Sequence, residues 1–371
     1  MRYFSLLFIL LISFTAYGQQ YYLFIGTYTG KGSKGVYVYS FDAVKGKAKF
    51  VSNTEGVINP SYLAIAPGGT VLYACNEVAS QKGGEISAFS FDREKGSLSF
   101  LNRQFTGGDH PAYVSVHKTG KWVIAGNYSG GSISTFPVGN NGSLKPYTQL
   151  TKHQGKGTDK QRQDKPHVHA TVFSADGKNL FVPDLGIDKV MIYPFNASAI
   201  KPLQENAVSF ITASPGSGPR HFVFHPNNKF AYLIEEMAGA ISAYKHKNGK
   251  LYFQQRIFTH PDSSKEQFGS ADIHVSPDEK FLYVSNRGTE NNLAIFSIDK
   301  KGKLISVGYQ NTMGIKPRNF IIDPTGNYLL VANQQSNNIA IFKRDNKTGL
   351  LYYTGEQINI PEPVCLKMLA M

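Results

Sequence analysis

Tryptophan is almost missing from this 371-residue chain: Trp122 stands alone beside 21 Tyr and 25 Phe. Cysteine is nearly as scarce. Cys75 and Cys365 make neither a disulfide framework nor a CxxC metal or redox motif, and both read as buried small apolar side chains. Acidic residues are under-supplied, 26 Asp and Glu against 39 Lys and Arg, which leaves a formal net charge of +13. That excess points to anionic partners without naming them. With 41% hydrophobic and 18% charged residues, the composition excludes a disordered chain. One apolar run, Ser5 through Thr15, follows Arg2 and ends at Ala16-Tyr17-Gly18. A positive charge, a short apolar stretch and small residues, in that order, predict an export signal over residues 1–18 and a periplasmic or secreted mature chain over 19–371. The run is too short to span a bilayer, no Cys offers a lipid anchor, and no later run approaches spanning length.

Glycine, by contrast, is abundant at 36 residues, a density that works against long helices, while the Tyr and Phe content favours short strands and tight turns. The strands repeat. Segments 60–77, 111–128, 167–186, 220–237, 270–288 and 318–335 each read as an alternating strand, a turn, and a second apolar strand ending in polar residues. Anchored on Pro67, Lys118, Ala175, Pro226, Pro277 and Pro324 in the turns, the spacings are 51, 57, 51, 51 and 47. A third strand follows each segment, beginning at Ile86, Ser132, Val190, Ala240, Leu293 and Ile339, and then a weaker fourth. Units of about fifty residues with four antiparallel strands predict an all-β propeller. Residues 22–42 supply the second and third strands of a further unit, and its missing first strand matches Pro363 to Ala370. The expectation is seven blades in one domain, closed by a C-terminal strand that completes the N-terminal blade. The units lack helical periodicity, which excludes a solenoid, and the WD and GH signatures of scaffolding propellers are absent.

Antiparallel inner strands bring the start of the first and the end of the second to one mouth of the ring. Polar residues gather there. Arg220, Arg287 and Arg318 come from consecutive blades five, six and seven, and three forked guanidinium groups in one sector predict an anion pocket. His169 and Glu236, in blades four and five, form the candidate acid–base pair, since His titrates near neutral pH and burial tunes Glu upward. His167, His221, Asn319, Asn127 and Tyr28 lie at the same mouth as candidate substrate-binding residues. A metal reading through His167, His169, Asp184 and Glu236 lacks a fixed zinc spacing, so neither metal nor cofactor is expected. GxSxG and P-loop motifs are absent. The basic stretch Lys152–Lys165 explains the long 57-residue spacing and reads as a solvated loop, with a lid over the site as the alternative. The aromatics follow strand alternation, so they give no stacking groove for nucleic acid.

Gly218-Pro219-Arg220-His221, the run from Ser276 to Gly288, the run from Pro317 to Gln334, and His169 with the run from Ser174 to Gly186 together resemble the seven-bladed lactonase family. That family includes the propeller-type 6-phosphogluconolactonases and the carboxymuconate cyclases. The resemblance spans essentially the whole mature chain. It implies a hydrolase of carboxylic esters that opens a sugar-acid lactone, a small anionic substrate, no cofactor, and a monomer or small homo-oligomer. By position it implies catalytic roles for His169, Arg220, Glu236 and Arg287. The family's usual Asn before the glutamate is Glu235 here, which puts the local hydrogen bonding in question. A ring-closing cycloisomerase and a non-catalytic exported propeller that binds a sugar acid or a protein are the rival readings.

Overall fold

A computed structural model of the chain, which describes residues 19–30, 32–261 and 268–371, contains seven sheets of four antiparallel strands. Residues 1–18, read above as an export signal, lie outside the described residues. Blade one runs outward from Pro363–Ala370 through Gln20–Thr27 and Val36–Asp42 to Lys47–Thr54, so the two ends of the chain share a sheet. Its closing register pairs Tyr21 with Ala370 and Gly26 with Cys365. Blades two to seven begin at the inner strands Leu63–Ile65, Pro111–Val116, Val172–Phe173, Pro219–Phe224, Ser270–Val275 and Pro317–Ile322. The predicted propeller and its mode of closure are therefore what the chain adopts. Among the described residues no helix is long and apolar enough to cross a membrane.

At the mouth away from the polar cluster, the turn between the first two strands of each repeat places one residue in the left-handed region, where a Cβ is strained. Gly69, Gly120, Gly177 and Gly326 hold that position with φ of 70°, 71°, 73° and 76°, and Asn228 and Glu279 hold it with 57° and 64°. Four glycines and an Asn meet the backbone's demand; Glu279 is the exception.

Apolar side chains from facing sheets fill the seams between blades in clusters, such as Tyr232, Ile234, Ile273, Leu282 and Val284 between blades five and six. Six seams also carry a directional tie, in which a ring on one blade donates to a backbone carbonyl of the next. Tyr22 reaches Arg93 O at 2.5 Å, Tyr73 reaches Gly142 O at 2.9 Å, and Trp122 Nε1 reaches Ala197 O at 2.9 Å. Tyr232 reaches Gly302 O at 3.1 Å, Tyr283 reaches Gly349 O at 2.7 Å, and Tyr328 crosses from blade seven to Val44 O of blade one at 3.2 Å. A buried Tyr needs a partner for its hydroxyl, and these turns supply one while the ring fills the seam. Cys75 and Cys365 are both buried and unbridged, and Cys365 Sγ accepts from Leu63 N at 3.3 Å.

Candidate active site

The inner strand of blade four is short: an isolated bridge from Val168 to Asp184 precedes Val172–Phe173. Asp184 organises this break, its Oδ1 accepting from His167 N at 2.7 Å and Gly186 N at 3.0 Å while its Oδ2 receives His153 Nδ1 at 2.6 Å. His167 and His169 both come to rest against Tyr128, the first stacked at 4.6 Å and the second edge-on at 5.2 Å.

Glu236, at the end of the second strand of blade five, is the centre of the site. Its Oε2 accepts from Arg220 Nε at 2.8 Å and pairs with Arg287 Nη2 at 3.1 Å. Its Oε1 accepts from Arg162 Nη2 at 2.7 Å. His169 Nε2 stands 4.0 Å from Oε2, and His169 Nδ1 is buried without a partner among the described residues. So His169, Glu236, Arg220 and Arg287 converge. The expected upward tuning of Glu236 is overturned: burial pushes its proton affinity up, but Arg287, Arg220, His169 and Arg162 together hold it well below the usual carboxylate range. His169 moves the same way for the opposite reason, since burial, then Arg220 and His221, disfavour an imidazolium and outweigh Glu236. A carboxylate and a neutral imidazole face each other. Arg220 is buried, and burial and Arg287 push its guanidinium down to about 10, which still leaves it charged at neutral pH.

Beneath this pair lies a second polar layer. Arg220 Nη1 donates to Ala271 O at 2.6 Å and to His221 Nε2 at 3.1 Å, so His221 carries its proton on Nδ1 and gives it to Asp272 Oδ1 at 2.7 Å. Burial and Arg220 push the His221 imidazole down to about 4. His274 Nε2 and Asn319 Nδ2 complete the shell of Asp272, while Asn319 Oδ1 accepts from Leu366 N of the closing strand at 2.7 Å. His221 and Asn319 thus belong to the support of Arg220. Arg318 and Tyr28 form a neighbouring group, with Glu77 receiving Tyr28 Oη at 2.8 Å and facing Arg318 Nη2 at 3.8 Å.

Asn127 stands apart from the site. It is fully buried and donates to Ser132 and Ser134 Oγ, both at 3.0 Å, inside its own blade. Asn286 and Asn333 hold the equivalent position in blades six and seven and donate back to the linkers from the preceding blades, to Thr259 O at 2.7 Å and Thr312 O at 2.9 Å. Glu235 occupies the equivalent position in blade five, and its charge turns away from the site onto Ser242 Oγ at 2.6 Å and Arg256 Nη2 at 2.7 Å. In four blades the next residue joins the contacts above: Glu77 after Asn76, Tyr128 after Asn127, Glu236 after Glu235 and Arg287 after Asn286.

Arg162 is the member that sequence reasoning missed. It lies in the basic stretch, whose lysines gave no reason to single it out, and no other blade has a matching insertion. The stretch is only partly solvated: Gln163 is fully buried, donating to Leu185 O and Asp188 Oδ1 at 2.8 Å each. Among the described residues no cluster of three or more His, Cys, Asp and Glu is placed to hold a metal ion.

The chain is thus a seven-bladed propeller with a guanidinium-bound carboxylate and a neutral imidazole side by side at one mouth. The model of the family described as "Lactonase, 7-bladed beta-propeller" matches residues 22–368, and the chain belongs to that family. It is 40% identical to the 6-phosphogluconolactonase of Formosa agariphila, covering 93% of this chain and 99% of that one. The 6-phosphogluconolactonase of Bacillus subtilis is 34% identical over 94% of this chain and 99% of its own. The periplasmic gluconolactonase of Pseudomonas aeruginosa superposes with a TM-score of 0.90 at 36% identity, covering 95% of this chain and 99% of that one.

Proposed function

We propose that the chain opens a gluconolactone-type sugar lactone by hydrolysis. The observation that carries this reading is the pairing of a neutral, buried His169 with the ion-paired Glu236 carboxylate 4.0 Å away, beside two guanidinium groups. In the proposed reaction His169 takes a proton from water as its oxygen attacks the lactone carbonyl. Glu236 stabilises the imidazolium that forms, a charge otherwise disfavoured by Arg220 and His221. Arg220 and Arg287 offset the negative charge developing on the carbonyl oxygen. The ring C–O bond then breaks, and the proton on His169 passes to the departing alkoxide, leaving a hydroxy acid. The 6-phosphogluconolactonase names of the two relatives support the reaction type, and the periplasmic neighbour supports export of the mature chain.

The test is acid release from a panel of lactones in a pH-stat, run alongside ring closure of an unsaturated diacid. Ring opening is expected, and His169→Gln should lower kcat on the order of a hundredfold, the usual scale for a lost proton-transfer group. Full activity in both Arg220→Ala and Glu236→Ala would sink the assignment.

A further inference from the structure

Three guanidinium groups meet at Glu236, and they are not held alike. Arg220 is fixed by Ala271 O and His221, and Arg287 Nε is fixed by Gly269 O at 2.8 Å. Their side chains are 1% and 13% exposed. The Arg162 side chain is 46% exposed and makes its contacts through one nitrogen, Nη2, to Glu236 Oε1 and to Tyr128 Oη at 3.3 Å. The rest of its fork makes no hydrogen bond or ion pair among the described residues.

The backbone beneath Arg162 is nonetheless built in place. Arg162 N donates to Asp159 Oδ1 at 2.9 Å, and the amides of Thr158 and Asp159 donate to Gln163 Oε1 at 3.0 and 3.1 Å. Gln163 Nε2 is anchored on Asp188 Oδ1, which also accepts from Gly218 N at 2.9 Å, two residues before Arg220. One carboxylate therefore sets the height of the strap that carries Arg162 and the start of the strand that carries Arg220. A fixed backbone bearing a half-exposed guanidinium is how an anion-recognition group is presented. The charge balance agrees: Arg162, Arg220, Arg287 and Arg318 meet two carboxylates, Glu236 and Glu77, so the cluster holds positive charge in excess.

We propose that Arg162 is a subsite for an anionic substituent of the lactone, a phosphate monoester or a carboxylate, and that it exchanges its contact with Glu236 for one with the substrate. The exchange has a second effect. Glu236 loses one of its three guanidinium partners and becomes a stronger counter-ion for the imidazolium forming on His169. An anionic lactone therefore gains in kcat as well as in KM over an uncharged one. This inference rests on the lactonase reading above.

The experiment compares three lactones that differ in one substituent: glucono-lactone, its 6-phosphate, and glucaro-lactone, which carries a carboxylate. Wild type, Arg162→Gln and Arg162→Lys are assayed, with thermal unfolding as the folding control. Arg162→Gln is expected to lower kcat/KM for the charged lactones on the order of thirtyfold, the scale of one charge-assisted hydrogen-bond contact. The uncharged lactone should show no loss, because removing Arg162 frees Glu236 as an anionic substrate would, and Lys should restore part of the loss on the charged lactones. The two charged lactones tell a phosphate subsite from a carboxylate subsite. Equal losses on all three lactones, or no loss on any, would overturn the proposal. If wild type opens none of them, the lactonase reading itself fails. Calorimetry then decides the subsite alone, and it survives only if wild type prefers gluconate 6-phosphate to gluconate and Arg162→Gln abolishes that preference.

Discussion

Glu236 and His169 both hold their protons weakly in one pocket, because the same guanidinium groups that favour a carboxylate disfavour an imidazolium. Burial first, then Arg220, His221 and Arg318, oppose a charged His169, and Glu236 favours it. The consequence is measurable. A base whose proton affinity is depressed stays neutral into more acidic solution, so the acidic limb of kcat/KM should fall below pH 6.5, the ordinary imidazole value. Glu236→Gln removes a favouring charge and should move that limb further down, together with a lower plateau. A pH–rate profile that turns over above pH 6.5 would contradict the assignment of His169 as the base. At this scale the residue types were readable from sequence and their proton affinities were not, because the downward shift of Glu236 needs three cations from three different elements. Arg220 and Arg287 could be anticipated at the mouth, whereas Arg162 could not.

At the scale of the element, repetition made the chain legible. Six copies of one hairpin put Pro, Gly, Asn and Asp at matching turn positions and polar residues at matching strand ends, so the sequence alone locates the mouth. The repeat did not reveal which of two neighbouring polar residues faces the axis. Asn127 and Glu235 sit one position too early and turn into their own blades, while Tyr128 and Glu236 face inward. The strap between blades three and four was illegible for the converse reason: it occurs once, and its shape depends on the buried Gln163 and on Asp188 rather than on local pattern. Glu279 allows a test of the turn argument. It alone places a long side chain, with φ of 64°, where four sister turns use Gly. Glu279→Gly should stabilise the protein by about 1 kcal/mol by relieving left-handed strain, read as a higher urea midpoint with an unchanged slope. The weak approach of Glu279 Oε2 to His225 Nδ1 at 3.8 Å is the only side-chain contact set against that gain among the described residues.

The whole molecule is a ring whose last seam is made by the chain's last strand. Pro363–Ala370 pairs with Gln20–Thr27, gives Leu366 N to Asn319, and packs Cys365 against Leu63. Deleting residues 363–371 would leave the inner edge of blade one open and strip the polar layer below Arg220 of one hydrogen bond. Such a truncation should give no cooperative melt by circular dichroism and should run as aggregate on size exclusion; a monodisperse, cooperatively melting product would show that closure is dispensable. Together with the 36 glycines and the aromatic content, this strand was visible in the sequence because its pattern repeats that of the other inner strands.

The ring ties also have a direction. Tyr22, Tyr73 and Trp122 each reach forward to the blade synthesised next, and only Tyr328 reaches back to the first. On a growing chain each of these blades therefore presents a donor whose acceptor has yet to be made. The contact between Leu63 and Cys365, 302 residues apart, forms only when the terminal strand arrives. The closing contacts therefore form last, and a chain stalled short of Pro363–Ala370 carries an open arc in which Asn319, below Arg220, lacks the Leu366 amide.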